Sequence, residues 1–261
     1  MHNPLLTEVP PALRVRDVSK TYDSSDGTRT ALAHTSFDIQ QGEFVSLVGP
    51  SGCGKTTLLK LCTGLLAPSA GVAGYRDTGR PVPPGTYGIV FQNAALMSWR
   101  TVLANITLPR DILGGDRATA DDRARELLDL VELAGIESKY PNELSGGMQQ
   151  RVAIARALLH DPEILFMDEP FGALDALTRE TLNMLLQQVH QSQRKTVLFV
   201  THSISEAVLL SDRIIVMSAG PGRVVDNVPV ELDRPRGHGS AKDPEFQRIV
   251  ERVRAQLGVA A

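Results

Sequence analysis

A glycine-rich segment between a predicted strand and a predicted helix is the feature that most constrains the fold of this chain. The segment reads GPSGCGKT and matches the pattern G-x-x-x-x-G-K-[ST] at every fixed position. The residues just before it, Glu43 to Val48, are predicted to form a strand in which Phe44, Val45, Leu47 and Val48 are apolar, which is typical of a strand buried on both faces of a parallel sheet. Leucines at helical spacing follow it. The chain is therefore predicted to be an α/β protein that binds a nucleoside triphosphate.

Each residue type in this P-loop has a physical use at a phosphate group. Glycines let backbone N–H groups wrap phosphate oxygens, and the start of the next helix adds favourable partial charge. Lys55 is predicted to contact the β- and γ-phosphates, and the hydroxyl of Thr56 to bind Mg²⁺. The predicted nucleotide contacts in this segment are Gly49, Pro50, Ser51, Gly52, Cys53, Gly54, Lys55, Thr56 and Thr57.

Two carboxylates, Asp168 and Glu169, follow a second apolar strand predicted at 165–167. Because ligands of open parallel sheets bind at the carboxyl ends of the strands, both side chains are predicted to reach the same edge as the P-loop. Asp168 is then placed to hold Mg²⁺, and Glu169 to act as the general base on the attacking water. A solvated acid pair at a strand end is the alternative, and the P-loop upstream favours catalysis.

A histidine, His202, follows a third strand predicted at 196–200. A single histidine is more often structural than catalytic. Here the other motifs favour a functional interpretation, because His202 is predicted at the same sheet edge and can reach a γ-phosphate. Ser203 is predicted to cap the next helix.

Together with Leu144-Ser145-Gly146-Gly147-Met148-Gln149-Gln150-Arg151, these segments resemble the ATP-binding cassette of ABC transporters, from about Leu13 to about Gly222. The resemblance implies a P-loop NTPase core with a parallel sheet, an N-terminal antiparallel β subdomain and an α-helical signature subdomain. It implies one domain over 1–261, with the nucleotide-binding core at 1–91 and 161–230, the helical subdomain at 92–160 and a C-terminal extension at 231–261.

The resemblance also assigns roles outside the P-loop. Tyr22 corresponds to the aromatic residue that stacks on adenine. Gln92 corresponds to the Q-loop glutamine, which contacts Mg²⁺ or the attacking water, and His202 to the switch histidine. Ala173-Leu174-Asp175 resembles the D-loop. The remaining residues predicted at the nucleotide are Ser145, Gly146, Gly147, Gln149 and Asp175.

The signature segment has its own physical interpretation. Ser145 is predicted as an N-cap, and the two glycines after it leave backbone N–H groups bare at a helix start, which predicts a second anion site. The family pattern implies a head-to-tail homodimer, in which the P-loop of one cassette meets the signature of the other around ATP. Because Lys55, Asp168, Glu169 and His202 are all present, an active ATPase is expected rather than a regulatory cassette that only binds nucleotide.

Composition limits the partners and the location of the protein. The chain has 261 residues, 42% of them hydrophobic, and a net charge of −3 without a basic patch, so no nucleic-acid partner is expected. No apolar run approaches the roughly eighteen residues that span a bilayer, and no signal peptide is recognisable. The chain is expected at the cytoplasmic face of the membrane, docked on separate transmembrane permease subunits and served indirectly by a solute-binding protein.

The segment Leu96–Val102 contains the only tryptophan, Trp99, where ABC cassettes receive a membrane subunit. Packing inside the helical subdomain is the alternative for these apolar residues. Trp99-Arg100-Thr101, together with 218–223 and 233–236, resembles the nitrate, sulfonate and taurine branch of bacterial importers. The leading hypothesis is thus the ATPase subunit of such an importer. The alternative is a soluble ABC ATPase acting on ribosomes, DNA or metal-cluster assembly, which more often has twin cassettes, coiled-coil inserts or basic tails.

Three further expectations concern local structure. The segment Gly71–Thr86 is rich in glycine and proline and is predicted to be a loop. Asp243 as N-cap and Pro244 as the first helical residue predict an amphipathic helix that packs on its own domain. Cys53 is expected under the phosphates of bound ATP, and Cys62 on a helix face among leucines.

Overall fold

The computed structural model describes residues 10–24, 27–172 and 174–258. Its strands are β1 (Leu13–Ser24), β2 (Gly27–Ile39), β3 (Phe44–Val48), β4 (Ala70–Tyr75), β5 (Tyr87–Val90), β6 (Ile164–Asp168), β7 (Thr196–Thr201), β8 (Arg213–Met217) and β9 (Val224–Pro229). Its α-helices are α1 (Lys55–Cys62), α2 (Val102–Ile106), α3 (Leu108–Leu113), α4 (Arg117–Leu130), α5 (Gly146–Leu158), α6 (Ala176–Gln193), α7 (Ile204–Leu210) and α8 (Pro244–Leu257).

The larger sheet positions the predicted functional residues. Within the described ranges its strand order is β5-β6-β7-β3-β8-β9. Among the described residues, β5, β6, β7, β3 and β8 run parallel to one another in that order, and β9 runs antiparallel to β8. Every residue of β3 and β7 is buried, as expected for strands covered on both faces. Because β3, β6 and β7 are parallel neighbours, the P-loop, Asp168 and His202 all lie at one edge of this sheet.

A smaller antiparallel sheet in the order β2-β1-β4 packs near α1. The expectation of a loop over Gly71–Thr86 was wrong at its start, because β4 occupies Ala70–Tyr75 and pairs with β1. Gly71 has a φ of +76°, and a Cβ there would lie 2.2 Å from the carbonyl oxygen of Asp17. The close backbone approach requires glycine, and this strand therefore lacks an alternating apolar pattern.

The helices α2 to α5 lie between β5 and β6 in the chain, and residues of α2, α4 and α5 share one core. From α4, Ala124, Leu127 and Leu128 are buried in the same cluster as Val152 of α5. The side chains of Thr101, Asp116 and Ser145 cap α2, α4 and α5 by accepting backbone N–H groups. The capping role predicted for Ser145 is thereby confirmed.

The C-terminal helix α8 begins as predicted. The side chain of Asp243 accepts the N–H of Glu245, and Pro244 is the first helical residue. The apolar face of α8, formed by Phe246, Ile249, Val250 and Val253, is buried with residues of α7, β8 and β9. The apolar stripe thus packs on the chain's own domain. In the described part of the chain, no helix has the length and apolar character needed to span a membrane.

Candidate functional site

The P-loop wraps the start of α1 and holds its lysine inward. Gly54 caps the helix with a φ of 96°, and a Cβ on it would lie 2.9 Å from the carbonyl oxygen of Ala31. Lys55 is only 5% exposed. Its Nζ donates to the carbonyl oxygens of Gly49 at 2.8 Å and Pro50 at 3.1 Å. The ammonium group therefore lies against carbonyl oxygens of the loop, at the start of α1. Backbone N–H groups at the start of a helix can bind an anion.

Two side chains with oxygen atoms that can bind a metal ion, Thr56 and Asp168, meet between α1 and β6. The hydroxyl of Thr56 donates to Asp168 Oδ1 at 2.9 Å. Burial raises the pKa of the Asp168 carboxyl, while the hydrogen bond from Thr56 opposes this shift. Hydroxyl and carboxylate oxygens are the donors that Mg²⁺ prefers, so the pair fits one edge of a magnesium coordination shell.

Glu169 directly follows β6, at the same edge of the sheet as the P-loop and His202. Its N–H donates to the carbonyl oxygen of Val200, and its φ of 46° turns the chain sharply after β6. Its Oε1 lies 3.8 Å from Lys55 Nζ, and its Oε2 lies 3.1 Å from Nδ1 of His202. An ionised carboxylate accepts only, so this contact requires a proton on Nδ1 of the imidazole.

Gln92 reaches the same space from the end of β5. A Cβ built on Gly172 would lie 3.2 Å from Gln92 Nε2 and 3.8 Å from Glu169 Oε2. The amide and the carboxylate thus approach the same point above Gly172. The structure therefore brings together Lys55, Gln92, Glu169 and His202, with Thr56 and Asp168 beside them.

The signature residues make their own hydrogen bonds at the start of α5, where Gly146 and Gln149 line one cavity with Gln92. Ser145 Oγ accepts the N–H of Met148 at 3.3 Å, and Gln149 Nε2 donates to the carbonyl oxygens of Pro141 and Leu144. In the ranges that the structure describes, no side-chain hydrogen bond joins Ser145 or Gln149 to the P-loop. These residues keep the start of α5 ordered, with Gly146 exposed beside it.

Two other predicted contacts lie at element ends. Asp175 caps α6 by accepting the N–H groups of Leu177 and Thr178, and these hydrogen bonds lower the pKa of its carboxyl. Tyr22 is a partly exposed residue of β1, and Lys20 Nζ lies 5.3 Å from its ring centroid. Ala173 of the predicted D-loop lies outside the described residues.

Sequence reasoning missed three groups next to the site: the buried Thr201 and Glu206, and the partly exposed Arg179. It also missed the role of Gly222, which packs behind the P-loop: a Cβ there would lie 1.7 Å from the carbonyl oxygen of Cys53. Neither residue has a sequence pattern that indicates a function. Glu206 is one charged residue on an otherwise apolar helix face, and Gly222 is one glycine in a loop, and both are common in proteins.

The thiol of Cys53 does not face the phosphates, contrary to the expectation from sequence. Its side chain is 1% exposed and belongs to the apolar core cluster that includes Met217. A Cβ on Gly49 would lie 2.8 Å from Cys53 Sγ, so glycine is required beside it. Burial raises the pKa of the Cys53 thiol, and it raises that of Cys62 to about 12.

Both cysteines are therefore expected to react slowly with a maleimide in the native protein, because burial removes access and disfavours the thiolate. ATP should make little difference, and both should label fully after denaturation. Mass spectrometry of the labelled peptides measures this. Rapid labelling of Cys53 that ATP slows would contradict the buried orientation of its side chain.

This chain is similar to several known proteins. The ABC transporter family model matches residues 32–172. The ABC transporter ATP-binding protein MJ0412 of Methanocaldococcus jannaschii is 44% identical over 238 residues, covering 91% of this chain and 89% of the relative. The aliphatic sulfonates import ATP-binding protein SsuB of Bacillus cereus is 42% identical, covering 93% and 94%. The dimeric post-hydrolysis structure of the ATP-binding cassette MJ0796 bound to ADP and Pi has a TM-score of 0.73 at 34% identity, covering 85% of this chain and 100% of that one.

Proposed function

Because the chain belongs to the ABC transporter family and is an ATP-hydrolysing cassette, we propose that it is the ATPase subunit of a bacterial importer. It drives uptake of a small solute of the nitrate, sulfonate or taurine type through separate membrane permease subunits. The names of sulfonate-import relatives support this solute class. The observation that carries the proposal is Trp99, which is 75% exposed on the loop before α2.

Each residue of the catalytic group has a role in this proposal. The P-loop N–H groups and Lys55 bind the β- and γ-phosphates. Thr56, Asp168 and Gln92 hold Mg²⁺, which neutralises phosphate charge when bound. Glu169 accepts the proton of the attacking water, and the imidazole of His202 orients that carboxylate through its 3.1 Å contact.

The signature residues act on a second chain. Since Ser145 and Gln149 make no side-chain hydrogen bond to the P-loop within the described ranges, they are available to the nucleotide of a partner cassette. We assign Ser145, Gly146 and Gly147 to the γ-phosphate across a head-to-tail homodimer, with Tyr22 on the adenine and Asp175 at the interface. Dimeric structures of a related cassette support two chains in the active form.

The proposed permease-docking surface includes the exposed apolar residues Trp99, Ile112 and Leu113. The ion pair between Arg100 and Asp111 links the loop of Trp99 to α3, which carries the other two. Ile112 is 74% exposed on α3. The loop before α2 is held by Asn105, which is fully buried. Its Oδ1 accepts the N–H of Met97 at 2.7 Å, and its Nδ2 donates to the carbonyl oxygens of Met97, Arg100 and Thr101. An exposed aromatic residue on so fixed a loop is suited to anchor a partner.

The chain acts at the cytoplasmic face of the membrane in this proposal, and a solute-binding protein delivers the solute to the permease. The test is reconstitution with the permease and solute-binding protein encoded beside this gene. ATP hydrolysis should rise when the binding protein carries its solute. If no membrane partner copurifies and ribosomes or DNA stimulate hydrolysis instead, the soluble alternative replaces the importer.

The Trp99→Ala variant tests the docking surface. Because the side chain is exposed, the free energy of unfolding of the isolated chain should change by no more than about 0.5 kcal/mol. Its ATP hydrolysis without the permease should be retained. Binding to the permease should weaken by about 2 kcal/mol, the scale of a buried aromatic anchor, and solute-stimulated hydrolysis should disappear.

Thermal unfolding, ATPase assays and copurification measure these effects. Leu65→Ala is the matched control, since Leu65 is also a large exposed apolar residue but lies beyond α1. A large loss of stability in Trp99→Ala, or equal loss of permease binding in the control, would contradict the docking role.

A further inference from the structure

An ion pair lies next to the catalytic group without belonging to it. Glu206 of α7 is only 7% exposed, and its Oε1 lies 3.5 Å from Nε of Arg179 on α6, whose side chain is 33% exposed. The Nε atom of Arg179 is buried and makes no hydrogen bond in the described part of the chain. Burial raises the pKa of the Glu206 carboxyl, while Thr201 and Arg179 oppose this shift. A carboxylate buried in this way needs polar partners, and Thr201 and Arg179 supply them.

One end of the pair contacts the segment that precedes α6. Arg179 Nη2 donates to the carbonyl oxygen of Leu174 at 2.9 Å. The side chain of Leu174 packs against the core that includes residues of α5, and it lines one cavity with Gly146 and Gln149 at the start of that helix. Leu174 therefore lies between the signature helix and the guanidinium group of Arg179.

The other end reaches the catalytic histidine. Glu206 Oε2 accepts the hydroxyl of Thr201 at 2.6 Å, and Thr201 Oγ1 in turn accepts the N–H of Ser203 at 3.0 Å. Thr201 and Ser203 flank His202, so these two bonds fix the backbone on both sides of the imidazole. His202 Nδ1 then contacts Glu169 Oε2 at 3.1 Å.

We propose that Arg179 and Glu206 are positioning residues, which set the orientation of His202 against Glu169 according to the position of Leu174. The inference rests on the roles proposed above for His202 and Glu169. A shift of the Leu174 carbonyl moves the guanidinium group relative to Glu206, and the carboxylate carries that change to Thr201. The contact at 3.5 Å has room to tighten into a hydrogen bond when the segment moves.

Three substitutions break successive contacts with little change in shape: Arg179→Met, Glu206→Gln and Thr201→Val. Each should lower kcat about tenfold or more, because small displacements of catalytic groups can cost up to about 100-fold in rate. The KM for ATP should stay near that of the unaltered chain, since the P-loop is untouched. The double variant Arg179→Met with Glu206→Gln should lose no more than the worse single variant, as expected for residues in one network.

Arg234→Met is the matched control. Arg234 also bridges a backbone carbonyl and a carboxylate, with Nη2 at 2.6 Å from Leu210 O and 2.7 Å from Asp212 Oδ1, but it lies in the C-terminal extension. It should lose stability to a similar extent and retain kcat. Thermal unfolding of every variant separates structural loss from loss of positioning.

A direct measurement follows the imidazole itself. The chain has six histidines, and NMR of histidine-labelled protein, assigned with His202→Ala, reports the His202 ring. Its resonances should shift in Arg179→Met and stay in place in Arg234→Met. Unmoved His202 resonances in Arg179→Met would overturn the inference. So would a kcat loss in Arg179→Met no larger than that of Arg234→Met at the same loss of melting temperature. Full activity of His202→Ala would instead remove the proposed role of His202, while the NMR result still decides whether Arg179 controls its ring.

Discussion

The Glu169→Gln variant is expected to bind ATP normally and to hydrolyse it about 100 times more slowly or worse, the scale for loss of a general base. The carboxylate lies at the carboxyl end of β6, between Lys55 Nζ at 3.8 Å and His202 Nδ1 at 3.1 Å. An amide of the same shape keeps a hydrogen-bond acceptor for His202 but cannot take the proton of the attacking water.

Slow hydrolysis should also trap the ATP-bound dimer. Size-exclusion chromatography with ATP and Mg²⁺ should show a dimer of the variant that persists longer than that of the unaltered chain. Glu163→Gln is the matched control, because Glu163 precedes the same strand and binds Tyr75 and Arg76 at the surface. Turnover at the unaltered rate in Glu169→Gln would remove Glu169 from the role of base.

Neither the Lys55→Ala chain nor the Ser145→Arg chain should hydrolyse ATP alone, yet their mixture should recover activity. Lys55→Ala loses the cation that contacts the β- and γ-phosphates. Ser145→Arg binds ATP on its own P-loop and fails to complete the site of its partner. In a mixed head-to-tail dimer, the unaltered P-loop of one chain meets the unaltered signature of the other and forms one intact site.

ATPase assays of the permease complex assembled with both chains measure this recovery. The matched control mixes Lys55→Ala with Asp168→Asn, because both substitutions damage the same half of the site and no dimer of them contains an intact site. The head-to-tail arrangement is excluded if either single variant hydrolyses ATP normally, or if the control mixture recovers as much activity as the first.

Local signals were sufficient for the class of fold. Glycines before Lys55 and apolar strands ahead of the P-loop, Asp168 and His202 predicted a parallel sheet with its ligand edge at the P-loop. The likeness to solved ABC cassettes confirms that fold. The caps at Ser145, Ser203 and Asp243 were also predictable and are observed. An N-cap depends only on the backbone a few residues away, so its signal is contained in the sequence.

Other features depend on which parts of the chain meet. The strand at Ala70–Tyr75 forms because β1 lies beside it, and its glycines conceal the pattern. Cys53 packs in the core with Met217, and Gly222 closely approaches its carbonyl oxygen; both partners lie far along the chain.

The sequence by itself determined the phosphate-binding loop and the residue types predicted at the ligand edge of the sheet, because each of these depends on neighbouring residues. Only the tertiary structure decided that Arg179 and Glu206 meet, and that Leu174, Thr201 and His202 lie along one line of contacts toward Glu169. The physical reason is that a buried charge is tolerated only where a partner from another element compensates it, and a one-dimensional pattern does not contain that partner.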